Sequence, residues 1–429
     1  MNTPLSRRDF LRRSAVASAS VAALTSFPSI LRAAGANDRL VVGVMGLGRG
    51  MAHIEGFLSV PNVEIGYVCD VDERRIAEGI KAVEKRQTSR AVRGVRDFRR
   101  ILEDRSVDIL SIAAPNFWHA PASILACSAG KHVYVEKPGS HNAREAELIV
   151  AAARKHKRKV QMGNQRRSTP AVIEAIDKLR SGAIGKLRYA RCWYDATRGT
   201  IGRGKNTPIP AWLDWGLWQG PAPERPYKDN LVHYNWHWLW HYGGGELANN
   251  GVHAIDIARW GLGVDYPARV TCNGARYHFI DDQETPDTTL VTYDYGKVGI
   301  HWDSSSCLPR KNEAHPFVAF YGDAGTLALG GGATYQIFDL NGKEIYSAKD
   351  RFSDVPHFTN LADAIRNGAV LNSDIADAQK SSLISHLGNI AWRTGRTLDI
   401  NQETGRILHD QKAMRLWKRE YRRGWEPKV

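Results

Sequence analysis

The sequence predicts an α/β protein with two folded domains, a doubly wound parallel sheet followed by a largely antiparallel open sheet. From Arg39 to Met162, apolar runs typical of buried parallel strands alternate with helical segments. After about Ser168, strand-like runs follow one another across turns, with no helix between most neighbours. We therefore expect a first domain over residues 37–165 and a second over 166–429 that ends in helices packing back on the core.

Composition supports globular domains and excludes several other classes. The 429 residues are 43% hydrophobic and 24% charged, enough apolar material for more than one core. No apolar run reaches the ~18 residues that cross a bilayer, so no integral membrane segment is expected. The net charge is +14, but the basic runs at 154–159 and 412–423 carry no nucleic-acid motif. We interpret them as solvated helix faces and predict no nucleic-acid partner.

The first 36 residues have the pattern of an export signal. The motif SRRDFL at 6–11 precedes a weakly apolar stretch over 14–31, and small residues follow at 34–36. This order predicts a twin-arginine signal peptide, an export translocase as partner and a periplasmic or other extracytoplasmic location. The alternative is an ordinary basic amphipathic helix. The five cysteines are scattered without a CxxC pair, which fits folding in a reducing compartment before export.

A glycine turn follows the first predicted strand. The apolar run Leu40–Met45 leads directly into Gly46-Leu47-Gly48-Arg49-Gly50, in which the third glycine of the usual pattern is displaced to Gly50. Closely spaced glycines let the backbone approach a pyrophosphate at a helix N-terminus. The turn therefore indicates a dinucleotide-binding domain of the Rossmann type.

The end of the second predicted strand supports this interpretation. The run Val63–Cys69 ends at Asp70, 22 positions after Gly48, where a carboxylate suits a ribose hydroxyl. A carboxylate there favours NAD, while Arg74 and Arg75 leave NADP open as the alternative. The structural alternative is that Asp70 only helps to cap the next helix.

Three later segments follow predicted strands and so lie at the carboxyl edge of the sheet, where parallel sheets of this kind bind ligands. They are Ala114–His119, Glu136-Lys137-Pro138 and Gly163–Arg166. The predicted cofactor contacts are Gly46, Gly48, Arg49, Gly50, Asp70, Pro115, Asn116, His119, Glu136, Lys137 and Gln165.

With these motifs the chain resembles the Gfo/Idh/MocA family, named for glucose-fructose oxidoreductase, inositol dehydrogenase and a rhizopine-catabolism protein. The resemblance rests on the glycine turn, Asp70, Ala114-Pro115-Asn116 with His119, and above all Glu136-Lys137-Pro138, and it extends over everything after the signal. It implies that Lys137 lies beside the nicotinamide and the reacting hydroxyl. It also implies an open-sheet second domain that covers the cofactor, and it leaves a homo-oligomer open.

The second domain is predicted from six strand-like runs, at 187–195, 269–279, 288–295, 297–303, 317–321 and 334–340. Seven of the 13 tryptophans lie between positions 193 and 240. Aromatic faces match the CH faces of sugar rings, so this cluster predicts a carbohydrate or polyol ligand. The alternative is a loop that uses tryptophans to anchor itself. The predicted substrate contacts are Trp118, Arg166, Trp236, Tyr242 and Asp256.

The segment Gly243–Asp256 suggests the proton chemistry. Read as a helix, it places Glu246, Asn249, His253 and Asp256 on one polar stripe at 3-4-3 spacing. A histidine there can accept a hydroxyl proton while hydride leaves the same carbon. The resemblance implies a catalytic set of Lys137 with an aspartate and a histidine four residues apart on this helix. His253 matches the histidine, but Asn249 occupies the aspartate position, and an amide cannot take a proton. We expect Glu246 or Asp256 to compensate.

Three histidines are candidate metal ligands. His233, His237 and His241 recur every four residues, which on a helix would align them. The alternation of Trp236, Trp238 and Trp240 instead favours an extended chain, and no fourth ligand or HExxH motif accompanies them. No metal is predicted.

Three functions stay open at this point. The leading hypothesis is an exported sugar or cyclitol oxidoreductase in which Lys137 polarises a hydroxyl and His253 is the general base. Because diffusible NAD is not expected outside the cytoplasm, the cofactor should be tightly bound and recycled. The second hypothesis is an NAD-dependent glycoside hydrolase that oxidises a ring hydroxyl transiently. The third is a non-catalytic sugar-binding protein, against which the presence of both Lys137 and His253 argues.

Overall fold

In the computed structural model, residues 38–429 are described, and the predicted signal peptide lies outside them. The first sheet contains β1 (Leu40–Met45), β2 (Val63–Cys69), β3 (Arg93–Val95), β4 (Ile109–Ile112), β5 (His132–Val135) and β6 (Val160–Met162). The helices that connect them are α1 (Gly50–Phe57), α2 (Glu73–Glu84), α3 (Arg99–Glu103), α4 (Asn116–Ser128) and α5 (Ala143–Lys155). All six strands are parallel, in the order β3-β2-β1-β4-β5-β6. This confirms the predicted doubly wound sheet.

The apolar runs of β1 and β2 follow from their central place in this sheet. Every residue of both strands is buried, because packed elements cover both faces. The strand order reverses between β1 and β4, which opens a crevice beyond the strand ends. At this crevice Gly46 has φ +88°, and an added Cβ would lie 2.7 Å from the backbone of Ala113, so only glycine fits the turn.

The second sheet has nine strands. They are β7 (Leu187–Asp195), β8 (Arg269–Ala275), β9 (Thr288–Asp294), β10 (Gly299–Ser305), β11 (Val318–Gly322), β12 (Gly325–Leu329), β13 (Thr334–Asp339), β14 (Glu344–Lys349) and β15 (Leu398–Asp399). Their order is β14-β13-β12-β11-β7-β10-β9-β8-β15, antiparallel except for the parallel pair β7 and β10. The sheet is therefore largely antiparallel, as predicted.

Three of these strands were not predicted. β12 has five residues and begins at Gly325, a residue type typical of turns, and β15 has two residues. β14 is exposed along nearly its whole length, so it lacks the alternating apolar pattern of a half-buried strand. β8 ends earlier than expected, at Ala275, because the Arg276 guanidinium pairs with Asp281 and Asp287 and draws the chain out of the sheet.

The helices after β6 pack on different parts of the protein. They are α6 (Pro170–Arg180), α7 (Trp215–Gln219), α8 (Val252–Leu262), α9 (Val355–Asn367), α10 (Ile375–Thr394) and α11 (Gln411–Met414). Helices α6, α8 and α10 pack against the second sheet, whereas α7 and α9 pack against the first domain. Short 3-10 turns occur at Gln165–Ser168, Asn235–Trp238 and Arg415–Trp417, and a π-helical turn at Leu247–Gly251 leads into α8. Tyr293, Trp302 and Phe320 are fully buried in the core that α8 and α10 share with the sheet. Tyr189 and Leu290 are exposed on strands of the same sheet.

Helix α9 returns to the first domain. Its Phe358 ring is fully buried, with ring centroids 4.3 Å from Phe57 and 4.7 Å from Tyr134. The late helix thus completes the core under β1 and β5. Within residues 38–429, no helix is both long enough and apolar enough to cross a membrane.

Candidate active site

A cavity of about 830 Å³ lies at the carboxyl edge of the parallel sheet. Its walls are the glycine turn, the end of β2, the loops after β4, β5 and β6, the 233–237 segment and the start of α8. The predicted site residues that line it are Gly46, Gly48, Arg49, Asp70, Pro115, Asn116, Trp118, His119, Glu136, Lys137, Gln165, Arg166, Trp236, Asn249 and His253. Cavities of this size take a cofactor or a small ligand.

Three predicted residues lie outside the cavity. Gly50 is buried at the start of α1, where an added Cβ would lie 3.0 Å from Val44, so it serves close packing of helix on strand. Tyr242 is buried against other aromatic rings. Asp256 accepts from Arg167 Nε at 2.8 Å and Nη2 at 2.7 Å, and from the Ser381 hydroxyl at 2.7 Å. Asp256 is therefore occupied by an internal ion pair and does not reach the site.

The glycine turn is fixed by the carboxylate at the end of β2. Asp70 Oδ2 accepts from the backbone N–H of Leu47 at 2.7 Å, and Oδ1 accepts from the N–H of Asp72 at 3.0 Å. Asp70 also lines the cavity, beside Arg75. The tight turn at Gly46 and this carboxylate form a cradle that fits the ribose and pyrophosphate of a dinucleotide.

Glu136 is a buried carboxylate that organises the floor of the site. Its Oε1 accepts from Gln165 Nε2 at 2.9 Å and lies 3.2 Å from His53 Nε2. Arg49 also donates to Oε1, at 3.4 Å. Burial opposes ionisation, but the hydrogen bond with His53 and the charges of Arg49 and Lys137 hold the pKa of Glu136 below its ordinary range. The Glu136 side chain is thus an ionised carboxylate next to Lys137, whose backbone N–H donates to it at 3.1 Å.

Lys137 reaches from the first domain to the turn before α8. Its Nζ donates to the Asn249 backbone carbonyl at 2.8 Å and to the Asn249 side-chain oxygen at 3.2 Å. Burial lowers the pKa of Lys137, and the charges of Glu136 and Glu246 oppose that shift. The ammonium therefore stands at the junction of the two domains, where it can donate to a ligand oxygen.

His253, on the first turn of α8, lines the same cavity. Neither of its ring nitrogens makes a hydrogen bond to another residue within 38–429. Burial and the positive charges of Lys137 and Arg166 hold the pKa of His253 well below its ordinary value. A neutral imidazole with a free lone pair can act as a general base.

Residues 196–242, which we call the cover segment, lie over the cofactor end of the cavity. Leu213 forms an isolated bridge with Asp72, and His233 Nε2 lies 3.0 Å from Asp72 Oδ2. Trp118 Nε1 donates to the Trp218 carbonyl at 3.1 Å. These contacts fasten the cover segment to the first domain beside the glycine turn.

The tryptophan cluster has two roles. Of the seven tryptophans between positions 193 and 240, Trp218 and Trp236 line the cavity. Others anchor the chain: Trp215 stacks on Trp218 with centroids 4.7 Å apart, and Trp212 lies under the Arg74 guanidinium at 3.6 Å. Both the ligand-binding and the anchoring interpretations therefore apply, to different members of the cluster.

The three candidate metal-ligand histidines turn to separate partners. His233 faces Asp72, His237 Nδ1 lies 2.6 Å from the Tyr234 carbonyl, and His241 Nε2 lies 2.8 Å from the Pro223 carbonyl. Among the described residues no group of three His, Cys, Asp or Glu side chains has the geometry to hold a metal ion.

Sequence reasoning missed several functional residues. His53 is fully buried on α1 and supports Glu136, as does Tyr134, which accepts from Gln165 Nε2 at 3.1 Å. Tyr234 and His237 also line the cavity, although the sequence pattern indicates His237 only as a candidate metal ligand. His53 lies four residues after Arg49, but nothing in that spacing indicates a carboxylate partner 83 positions away.

Two sequence-family descriptions match the chain. Residues 40–164 match "Oxidoreductase family, NAD-binding Rossmann fold", and residues 193–427 match "Oxidoreductase family, C-terminal alpha/beta domain", both of Gfo/Idh/MocA. The chain belongs to the Gfo/Idh/MocA oxidoreductase family. The first domain of this family member is thus an NAD-binding domain, and the cradle around Gly46 and Asp70 fits that cofactor.

Curated relatives match only part of the chain. An alpha-N-acetylgalactosaminidase of Shewanella oneidensis is 27% identical over 157 residues, 36% of this chain and 34% of that protein. A glycosyl hydrolase family 109 protein of Shewanella sp. strain ANA-3 is 30% identical over 158 residues, 36% of this chain and 34% of that protein. The match therefore spans about a third of the length of these relatives.

Solved structures match the fold over most of the chain. An aldose-aldose oxidoreductase of Caulobacter crescentus, complexed with glycerol, has a TM-score of 0.65 and 20% identity, covering 84% of this chain and 100% of that one. A levoglucosan dehydrogenase in complex with NADH and levoglucosan has a TM-score of 0.67 and 17% identity, covering 85% and 100%. At these identities the likeness establishes the fold.

Proposed function

We propose that this chain is an exported carbohydrate or polyol oxidoreductase that keeps NAD(H) bound and passes hydride between a ring-hydroxyl carbon and the nicotinamide. The observation that carries the proposal is the convergence of Lys137 and His253 on one cavity that continues to the glycine turn at Gly46. An ammonium donor and a neutral imidazole at one end, with a dinucleotide cradle at the other, are the groups that alcohol oxidation requires.

The protein groups divide the work of the reaction. Bound nicotinamide accepts or returns the hydride. Lys137 Nζ donates to the substrate oxygen and stabilises negative charge that develops on it, and His253 takes the hydroxyl proton. Trp118, Trp218 and Trp236 form apolar walls that suit the CH faces of a sugar ring and exclude water.

Export and cofactor retention belong together in this proposal. The twin-arginine motif at 6–11 would send the folded protein out of the cytoplasm, where free NAD cannot replace a lost cofactor. The cover segment supports retention, because its contacts with Asp72 and Arg74 stand over the adenosine end of the site. A second carbohydrate would then return the hydride.

A second candidate is an NAD-dependent glycosidase. The similarity to family 109 glycosyl hydrolases favours it, as does neutral Asn249 beside Lys137. Oxidation of a ring hydroxyl would acidify the neighbouring C–H, so that base removes that proton and the aglycone leaves. Water then adds to the resulting double bond, and the stored hydride returns to the carbonyl carbon, with no net redox change.

One set of assays separates the two candidates. The mature chain from residue 37 would be purified, its NAD(H) content measured after acid release, and nicotinamide absorbance followed with single sugars, sugar pairs and aryl glycosides. Absorbance that changes with one sugar and resets with another supports the oxidoreductase. Aglycone release without net redox supports the glycosidase, and absence of nicotinamide after reconstitution contradicts both.

Site variants test the assignment of the chemistry. Lys137→Met should lower turnover by orders of magnitude without lowering the midpoint of thermal unfolding, and turnover is compared per bound NAD because Lys137 is also a predicted cofactor contact. Lys85→Met, at an exposed lysine on the first domain, is the matched control and should behave as wild type. Equal turnover in Lys137→Met and wild type would refute the role given to Lys137.

A further inference from the structure

His237 is a second histidine of the cavity wall, and the proposed chemistry does not use it. It lies on the 3-10 turn Asn235–Trp238 of the cover segment and lines the same cavity as Lys137 and His253. Oxidation of a hydroxyl needs one proton acceptor, and His253 supplies it. The second imidazole is therefore available for another contact with a ligand.

The backbone fixes the tautomer of His237. Its Nδ1 lies 2.6 Å from the Tyr234 backbone carbonyl, which can only accept a hydrogen bond, so Nδ1 carries the proton. Burial lowers the pKa of His237 to about 3, and the charge of Lys137 contributes to that shift, so the ring is neutral. A neutral imidazole protonated at Nδ1 has its lone pair at Nε2. Nε2 is thus a hydrogen-bond acceptor.

This acceptor has no partner in the described part of the chain. Nε2 makes no hydrogen bond to a residue within 38–429, and it is not one of the polar atoms that are sealed in the interior. Because Nδ1 is turned to Tyr234 and the ring lines the cavity, Nε2 is the polar atom that His237 presents to a ligand. A ligand that displaces water from Nε2 has to replace the lost donor with one of its own.

Two buried tryptophans hold the His237 ring in place. Trp236 stacks on it with ring centroids 3.5 Å apart, and the Trp236 Nε1 donates to the His233 carbonyl at 3.0 Å. Trp238 is 1% exposed and lies under the Arg198 guanidinium at 3.6 Å. The orientation of Nε2 is thereby set before a ligand binds, which makes the contact selective.

The 233–237 segment runs from the cofactor end of the cavity toward the substrate end. His233 Nε2 lies 3.0 Å from Asp72 Oδ2, beside the end of β2 and the glycine turn. Four residues later, His237 lies close enough to Lys137 for the ammonium to act on its pKa. His237 therefore borders the part of the cavity in which Lys137 would act on a substrate.

We propose that His237 is a specificity-determining residue whose Nε2 accepts a hydrogen bond from a second hydroxyl of the substrate, distinct from the hydroxyl that is oxidised. The substrate class is then a compound with at least two hydroxyl groups, rather than a simple alcohol. This role rests on the proposed function insofar as the cavity binds a substrate beside Lys137. The contact itself is a binding interaction and can be measured without turnover.

The chemistry of Nε2 selects hydroxyl donors. Carbonyl, ether and carboxylate oxygens offer lone pairs and no proton, so they cannot satisfy a neutral acceptor. Removing the hydroxyl from the substrate and removing Nε2 from the protein should therefore abolish the same interaction. We expect each change alone to lower kcat/KM by about 10- to 100-fold, and both together to lower it little further.

The first experiment follows the reaction of histidines with diethyl pyrocarbonate, which modifies accessible, unprotonated ring nitrogens, in the NAD-loaded mature protein. Peptide mass spectrometry measures the rate at His237, with His241 as the internal reference because it lines a separate cavity. The probes are a panel of sugars and cyclitols that includes D-glucose and myo-inositol, with cyclohexanol as the matched ring that has one hydroxyl. We expect a member of the panel to slow modification of His237 several-fold, while cyclohexanol leaves it unchanged.

The second experiment removes the acceptor. In His237→Asn the amide keeps a donor near the position of Nδ1, so the bond to the Tyr234 carbonyl can form while Nε2 is lost. The substrate found in the absorbance assays is compared with its monodeoxy analogues, each of which lacks one hydroxyl. One analogue should be weaker than the parent compound in wild type and equal to it in His237→Asn. His278→Asn, at an exposed histidine, is the matched control and should keep the wild-type ratio.

The ratio of parent to analogue separates a contact from a structural role. If His237 only supports the fold, its replacement lowers kcat/KM for both compounds alike and leaves their ratio unchanged, and that result overturns the proposal. If His237→Asn does not fold, protection of His237 in the wild-type protein decides alone.

The remaining outcomes are equally distinct. Protection of His237 by a polyol, with loss of the parent-to-analogue difference in His237→Asn, supports the proposal. Equal modification of His237 with and without every compound of the panel overturns it. Modification only after NAD has been removed also overturns it, because the cofactor is then the partner of Nε2. Protection without nicotinamide reduction by any compound sinks the proposed function and leaves the contact intact.

Discussion

At the scale of single residues, the site contains two nitrogen bases, Lys137 and His253, and the charges around them act on their pKa values in opposite directions. Burial lowers the pKa of both Lys137 and His253, but carboxylates oppose the shift at Lys137, whereas positive charges add to it at His253. The lysine is thereby favoured as the donor and the histidine as the acceptor of a proton. Pairs of groups whose surroundings push their pKa values apart divide acid and base roles in this way.

Replacing His253 by asparagine should lower kcat by about 10²- to 10⁴-fold, because the general base is lost while a similar volume is kept. Steady-state kinetics with the carbohydrate found in the absorbance assays would measure it. His278→Asn, at an exposed histidine, is the control and should keep full activity. A His253→Asn variant as active as this control would contradict the assignment.

The acid limb of the pH profile gives a second test of His253. Burial holds the pKa of His253 well below the ordinary histidine range, so the imidazole stays neutral as the pH falls through that range. We expect kcat/KM to hold constant through this range and to fall only at lower pH. A loss of activity with a midpoint near the ordinary histidine pKa, absent from His253→Asn, would argue against a buried neutral base.

Site residues that directly follow a predicted strand could be predicted from the sequence. Roles of residues on helices were harder to predict. The glycine turn, Asp70 and Glu136-Lys137-Pro138 lie at positions that the alternation of strands and helices places at one edge, and the structure brings them to the cavity. Asp256 shares the helical stripe of His253, yet Arg167 captures it. That partner lies 89 positions away, and no local pattern reveals it.

At the scale of elements, the cover segment contacts the first domain beside the cofactor end of the cavity. At Gly220, where φ is +40°, the backbone runs directly against the Trp118 indole, which also lines the cavity. An added Cβ would collide with the ring atoms of Trp118. This close approach holds the tryptophan against the first domain.

Gly220→Ala should therefore displace Trp118 or lift the cover segment, and we expect NAD to dissociate several-fold faster. Fluorescence or rapid gel filtration of the loaded protein would measure the release. Gly331→Ala is the control, because its added Cβ meets nothing within 4 Å. Identical release rates in the two variants would show that the cover segment does not retain the cofactor.

Strands and helices could be predicted where their burial produces a recognisable apolar pattern in the sequence. β1 and β2 are buried on both faces and read as continuous apolar runs, whereas β9 alternates. The turn Leu247–Gly251 was expected to be ordinary helix. Its π geometry could not be predicted from the local sequence pattern; in the structure Asn249 of this turn accepts from Lys137 and Asn250 donates to Glu246.

At the scale of the whole described chain, the two domains share a core. Helix α9, which follows the last long strand of the second sheet, buries Phe358 against Phe57, Tyr134 and His53 of the first domain. An added Cβ at Gly56 would also collide with that ring. The first domain is thus incomplete without a late part of the chain.

Phe358→Ala should cost about 3–5 kcal/mol of unfolding free energy, because it leaves a cavity where a fully buried ring was. Thermal and denaturant unfolding of the mature protein would measure it, and NAD content should fall because His53 loses a neighbour. Leu340→Ala, at a side chain that is 73% exposed, is the control. A loss as small as that of the control would mean that α9 does not stabilise the first domain.

The central claim is that the cavity holds NAD(H) and exchanges hydride with a carbohydrate under the action of Lys137 and His253. Single-turnover absorbance of the NAD-loaded mature protein, mixed with a panel of sugars and polyols, tests it most directly. We predict formation of reduced nicotinamide with one class of these compounds, at a yield close to one per site, and orders of magnitude slower in Lys137→Met and His253→Asn. No reduction with any member of the panel, or equal rates in wild type and both variants, would contradict the account.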